Sequence, residues 1–254
     1  MVTAGQDEGR PLLEELGLPA RTVLRAQSRS SVGPVAATAR RLLREIPAVP
    51  GYRLHLRVLG PIALYRDGVP VATPELRRER VRQLLGYLVG HDRPARTAVT
   101  AALWPDLDET AAGRNLRVTL TYLQNVLEPE RRDPDPPYFL RSDGPVLHLA
   151  MDGALEVDVR EFERHLDKAA VLERQGVPSA ALVAYQRAVA LWRGDYLADV
   201  PQCDWLDLER DRLREKFVTT AVRAGQLLLA RGDTSEAGIL AENALRTDQW
   251  SEAA

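Results

Sequence analysis

The sequence predicts a mainly α chain with a small antiparallel β component, built as two consecutive modules. Three observations carry this expectation. Residues 52–58 alternate apolar and polar, as a half-buried strand does. Leu116, Leu120, Leu123 and Leu127 recur at spacings of 4, 3 and 4, which puts them on one stripe of a helix. Beyond Asp158 the chain resembles itself when shifted by 56 residues, a mark of repeated helical hairpins.

Composition sets the outer bounds. A chain of 254 residues is long enough for one large domain or two smaller ones. The single cysteine, Cys203, cannot form an internal disulfide, which fits a reducing, cytoplasmic setting. No apolar run approaches the roughly 20 residues of a membrane span, and the N-terminus lacks the apolar core of a signal peptide. Of 34 basic residues only Lys168 and Lys216 are lysines. Arginine is the better bidentate partner for guanine and phosphate, although genomic base composition produces the same bias. The net charge of −2 is unevenly spread: residues 51–150 carry +2 and residues 151–254 carry −6. That division suits a middle section facing a polyanion and a C-terminal section facing something else.

Taken in order, residues 1–50 hold two short amphipathic pieces, PLLEELG and VAATARRLLREI, before Pro47, Pro50 and Gly51 break the chain. They read as a linker, or as the tail of an upstream helical region. Leu54, Leu56 and Val58 then alternate with Arg53, His55 and Arg57. Ile62 and Leu64 continue the pattern, and Asp67–Gly68 is a hairpin signal leading into Val69–Val71. Val81, Leu84, Leu85 and Leu88 predict a helix over about 77–90. A shorter one is expected from Thr97, as N-cap, to Trp104, with Pro105 ending it. The aspartates between Asp106 and Glu109 suit the positive end of the long helix that follows.

That long helix carries the densest information. Opposite its leucine stripe lie Arg114, Val118, Thr121 and Asn125, flanked by Thr110 and Arg117, and no carboxylate joins them until Glu128. Guanidinium, hydroxyl, amide and a small apolar group are the types that recognise guanine, phosphate, adenine and the thymine methyl. On the helix alone, a solvated face in an arginine-rich chain accounts for the pattern equally well. The surroundings favour the first reading. After the charged stretch Arg131–Pro137, YFLRSDGPVLHLA reads as two strands joined at Asp143–Gly144, with Arg141 expected at the tip near phosphates or a minor groove. Sheet, three helices and a hairpin, in that order, make a winged helix-turn-helix with an N-terminal sheet.

Past Asp158 the pattern is helical. The 56-residue shift sets Gly176 on Gly232, Ser179 on Ser235, Ala181 on Ala237 and Ala188 on Ala244. Alanines at helical spacing allow close approach of paired helices, as in tetratricopeptide-like repeats, with RGDYLADVPQCDWLDLERDR as an insert. Trp192, Trp205 and Trp250 are expected to pack such hairpins. A third hairpin is expected to begin at Trp250 and to be cut off at Ala254, which predicts a C-terminally truncated helical domain and a fragment of a larger regulator.

Catalytic chemistry has no foothold. Phosphate-loop, nucleophile-elbow and zincin motifs are missing, so neither an enzyme nor a cofactor is expected. His55, His91, His148 and His165 are scattered and suit surface or packing roles rather than metal ligation. Asp204, Asp207 and Asp211, spaced by 3 and 4, fit one solvated helix face.

The runs ALWPDLDETAAGRNLRVTLTYLQNVLEP, YFLRSDG, EVDVREFERHL and AYQRAVALWRGDYL together resemble the Streptomyces antibiotic regulatory protein (SARP) type activators. These join an OmpR-like winged helix to a bacterial transcriptional activator domain. The likeness covers residues 52–254 and is nearest the version found at the end of large multidomain regulators. It implies a DNA-binding domain over residues 51–150 and a tetratricopeptide-like activator domain over residues 151–254. It further implies two protomers side by side on promoter direct repeats, with the long helix in the major groove and the wing on the minor groove or backbone. RNA polymerase holoenzyme would be engaged by the helical domain. The DNA-binding residues expected are Thr110, Arg114, Arg117, Val118, Thr121, Asn125 and Arg141. A protein-interaction scaffold, using the helical repeats while the winged helix binds no specific DNA, is the competing expectation.

Overall fold

The computed structural model describes residues 21–29, 33–45, 47–131, 135–151 and 153–247. The chain forms two units that interleave along the sequence. Residues 1–53, 73–81 and 91–155 make the first, and residues 54–72, 82–90 and 156–254 the second. Among the described residues no helix is long and apolar enough to cross a membrane.

Among the described residues the first unit begins with two helices, α1, described over residues 21–28, and α2 (Gly33–Glu45). The piece VAATARRLLREI therefore forms most of α2, whereas PLLEELG lies outside the described residues. Arg21 is 1% exposed, and its guanidinium donates to the Leu43 carbonyl of α2 (3.1 Å) and to Asp135 (2.5 Å). Arg25 reaches the other oxygen of the same carboxylate at 2.9 Å. A buried guanidinium is tolerable only with partners of this kind. The rest of the unit comprises the start of α3 (Glu79–Gly90), α4 (Arg96–Leu103), α5 (Glu109–Leu127) and a hairpin whose strands are called β4 (Leu140–Asp143) and β5 (Val146–Leu149). Residues 77 and 78, expected inside α3, precede it.

The second unit is organised on a sheet of β1 (Leu54–Arg57), β2 (Ala63–Arg66), β3 (Val69–Pro70) and β6 (Leu155–Val157), in the order β3-β2-β1-β6. Leu54 pairs with Arg66 and Arg57 with Ala63 in antiparallel register, and Leu54, Leu56 and Leu64 are buried as the alternation predicts. Asp67 and Gly68 both take positive φ (48° and 80°), the mirror-image turn that matches strand twist. Four helices follow: α6 (Asp158–Arg174), α7 (Pro178–Leu191), α8 (Asp204–Arg231) and α9 (Thr234–Thr247). The 56-residue correspondence is real in three dimensions. Gly176 and Gly232 each follow a helix with left-handed φ (74° and 85°), and Ala181, Ala188, Ala237 and Ala244 are all buried.

The stretch between α7 and α8 is a staple rather than a passive insert. Its backbone joins the end of β1: Arg193 N–H donates to the Leu59 carbonyl (3.2 Å), Leu197 N–H to Val58 (2.8 Å) and Ala198 N–H to Gly60 (3.0 Å). The fully buried Tyr196 hydroxyl donates to the Gly86 carbonyl at 2.8 Å, and Arg210 donates to the carbonyls of Tyr196, Leu197 and Val200. Asp158, buried at the start of α6, accepts from Val58 N–H (2.9 Å), Leu59 N–H (3.1 Å) and the Arg193 guanidinium (2.5 Å). Trp192 stacks on Phe217 with ring centres 4.6 Å apart. Trp205 instead meets Tyr87 of α3 edge-on at 5.2 Å, so its packing is not confined to a hairpin; Trp250 lies outside the described residues.

Candidate nucleic-acid interface

Helices α4 and α5 pack against each other through faces that bury Val99 and Leu103 on one side. The other side buries Ala112, Leu116, Thr119, Leu120, Leu123, Val126 and Leu127. All four predicted leucines are included. Thr119 is tolerated there because its hydroxyl donates to the Asn115 carbonyl at 2.8 Å. The first helix begins at Arg96 with Ala95 as N-cap and no side-chain bond; Thr97, expected to be the cap, already lies within the first turn. Asp108 does cap α5, accepting from Ala111 N–H at 2.9 Å. That bond satisfies one of the unpaired N–H groups at the helix start and sets where α5 begins.

Thr110, Arg114, Arg117, Val118, Thr121 and Asn125 are all exposed on one face of α5. Val118, at 48% exposure, is an apolar group left in water by a helix that buries every other long aliphatic side chain it carries. Arg117 Nε donates to the Gly113 carbonyl (3.3 Å) and the Thr121 hydroxyl to the Arg117 carbonyl (3.1 Å). Those bonds fix the root of the Arg117 side chain and spend the Thr121 proton, leaving that oxygen as an acceptor.

The hairpin is braced from two sides. Residues 94–96 bridge to it: Arg96 N–H donates to the Pro145 carbonyl (2.8 Å) and Leu147 N–H to Pro94 (2.9 Å). Arg93 and Arg96 side chains hold Asp143 (2.7 Å) and Ser142 (2.9 Å) near the turn. On the other side the Glu128 carboxylate, buried past the end of α5, accepts from Tyr138 N–H (2.8 Å) and Phe139 N–H (2.9 Å). Burial pushes the Glu128 carboxyl above its ordinary value, against the pull of those two N–H groups and of Arg131 and Arg141. Arg141 stands apart from the helix residues and is not at the tip. It pairs with His148 across the hairpin, its Nε donates to the Tyr138 carbonyl (2.8 Å), and its guanidinium lies 5.1 Å from the Tyr138 ring centre. The tip is the turn from Asp143 to Val146, where Gly144 takes φ 58°.

Arg93, Arg96 and Glu128 were not singled out by sequence reasoning. Their partners are brought in by tertiary contact rather than by spacing. Among the described residues, no group of histidine, cysteine and carboxylate side chains could hold a metal ion. Asp207 and Asp211 instead pair with Arg210 (3.8 Å) and Arg214 (3.0 Å) along α8.

Residues 157–254 match the family described as Bacterial transcriptional activator domain. The fold is similar to that of Mycobacterium tuberculosis EmbR, solved in complex with a low affinity phosphopeptide, with TM-score 0.68 and 21% sequence identity over 80% of this chain. The match takes in 52% of the EmbR chain, so this chain spans about half the length of that relative. No curated protein matches the sequence. The chain thus has a winged helix followed by helical repeats, and its C-terminal part is similar to a bacterial transcriptional activator domain, in agreement with the resemblance to SARP-type activators.

Proposed function

We propose that this chain is a sequence-specific DNA-binding activator of transcription, working in the cytoplasm and without a cofactor. Residues 51–150 supply the DNA-binding domain and residues 151–254 the activating one. The single observation that carries the proposal is the outward face of α5. It exposes Arg114, Arg117, Val118, Thr121 and Asn125 with no carboxylate among them, while the opposite face is wholly committed to packing. An α-helix about 10–12 Å across fits a major groove about 12 Å wide, and this set of side chains is chemically equipped to contact base edges and phosphates there. Arg141 on the hairpin is assigned to the backbone or minor groove beside it. As the resemblance implies, two protomers sit side by side on direct repeats, and the helical domain engages RNA polymerase holoenzyme to regulate antibiotic biosynthesis.

The test is a gel-shift titration of the chain on double-stranded promoter DNA from its own gene neighbourhood at fixed salt. Arg114→Ala and Arg117→Ala should each weaken specific binding by roughly 1–3 kcal/mol. Wild-type affinity in both variants would move the interface elsewhere. Binding that ignores sequence and vanishes at physiological salt would favour the scaffold reading instead.

A further inference from the structure

The segment Glu75–Arg80 reads ELRRER, with arginines at 77, 78 and 80. Because α3 begins at Glu79, Arg78 lies in the turn before it, where its N–H donates to the Glu75 carbonyl at 3.1 Å. Its side chain is exposed and lies across the Tyr122 ring of α5, with the guanidinium carbon 4.4 Å from the ring centre. Arg80 does the same over Trp104, just before α5, at 5.8 Å. Tyr122 is four residues after Val118 and three before Asn125. At about 100° per residue it sits roughly 40° around the helix from Val118, at the rim of the carboxylate-free face. Among the described residues no carboxylate forms an ion pair with Arg78.

Each of these facts bears on one energetic problem. An exposed arginine loses rotamer freedom when it is fixed on a ligand. Stacking on an aromatic ring fixes it in advance, through the attraction of the cation to the ring face. A helix seated in a major groove meets base edges along its centre and the sugar-phosphate walls along its flanks. A guanidinium presented at the rim is therefore aimed at a wall.

We infer that Arg78, held over Tyr122, contacts a DNA backbone phosphate beside the α5 face, and that Arg80 over Trp104 extends this contact toward the N-terminal end of the helix. The inference rests on the DNA-binding reading above. Phosphate contacts of this kind position the reading helix without reading sequence.

The experiment measures binding of the 254-residue chain to a fluorescein-labelled random-sequence duplex between about 50 and 200 mM salt. Arg78→Ala should reduce the slope of log affinity against log salt by about 0.9, which shrinks the affinity lost over that range by about 3.5-fold. Arg78→Lys, which keeps the charge, should keep the slope. Tyr122→Leu should keep the slope as well and lower affinity several-fold, since the cation is present but no longer held. Melting followed by circular dichroism checks folding, and Arg78→Gln repeats the charge removal with most of the stem intact. A wild-type slope in both Arg78→Ala and Arg78→Gln, with Arg114→Ala reducing it, overturns the inference and leaves the DNA-binding reading standing. Unchanged affinity in Tyr122→Leu overturns the role given to the stack. Absence of salt-dependent binding by the wild-type chain removes the DNA-binding reading, and the inference with it.

Discussion

Glu128 and Tyr138 are joined across the loop that follows α5: the buried carboxylate accepts the Tyr138 backbone N–H at 2.8 Å, with Phe139 N–H on the same oxygen at 2.9 Å. One side chain thereby fixes where the hairpin starts relative to where the helix stops. Gln124 and Tyr52 add to this corner, the first through the Leu140 carbonyl (3.5 Å) and the second through the Leu127 carbonyl (2.6 Å).

Glu128→Ala removes the acceptor and leaves two buried N–H groups unpaired, at about 1–3 kcal/mol for each group left unsatisfied. Glu128→Gln retains a carbonyl oxygen at the same place and should lose far less. Urea denaturation of the two variants checks this, and equal losses would mean that the N–H groups find other partners.

The same carboxylate gives a pH dependence of definite sign. Its folded-state pKa is raised above the ordinary glutamate value of 4.5, so the native state binds the proton more tightly than the unfolded state. The penalty for holding the ionised group is absent below that ordinary value and grows as pH rises through the interval above it. The stability difference between wild type and Glu128→Gln should therefore shift in favour of Glu128→Gln as pH rises above 4.5. A difference that stays flat would show that the two N–H bonds fully offset the burial.

Asp158 is the second buried carboxylate whose loss should be costly. Asp158→Ala leaves two buried backbone N–H groups unpaired, at about 1–3 kcal/mol for each, and takes one acceptor from the partly exposed Arg193 guanidinium. Arg193→Ala should cost less than Asp158→Ala, since Arg193 is partly exposed and the two backbone bonds to Asp158 survive it. Thermal melts of the two variants rank them, and the reverse order would place the ion pair above the backbone bonds.

Two glycines should fail for different reasons. Gly232 ends α8 at φ 85° with open space around it, so Gly232→Ala meets only the left-handed backbone penalty of about 1–2 kcal/mol. At Gly86 the backbone is helical, but a Cβ would overlap the Leu197 side chain. Overpacking of that kind typically costs about 1–3 kcal/mol and moves its neighbours. Fluorescence of Trp205, which meets Tyr87 beside that glycine, should change in Gly86→Ala and not in Gly232→Ala.

Much of this was legible because it is periodic. The leucine stripe of α5, the alternation of β1, the Asp67–Gly68 turn and the paired alanines of α7 and α9 follow from spacing alone, and each is where spacing puts it. Residues whose partners are distant in sequence were not legible. Arg21 finds Asp135, Asp158 finds Val58, and Tyr196 finds Gly86, all through folding rather than spacing. The turn signal at Asp143–Gly144 puts Arg141 near the hairpin tip, yet its side chain turns back to Tyr138, which no spacing reveals. Arg78 was hidden inside an expected helix, and only the late start of α3 releases it toward Tyr122.

The stretch from Arg193 to Ala198 has a consequence for how such proteins can be recombined. It lends hydrogen bonds to the end of β1, and Asp199 holds both Ile62 N–H and Arg82. A chimera joining the β1–β3 hairpins of one such protein to the helices of another would have to match Asp158, Arg193, Tyr196 and Asp199 to the backbone they serve. The early strands and the late helices are thus a matched set that must be exchanged together, even though the sequence writes them far apart.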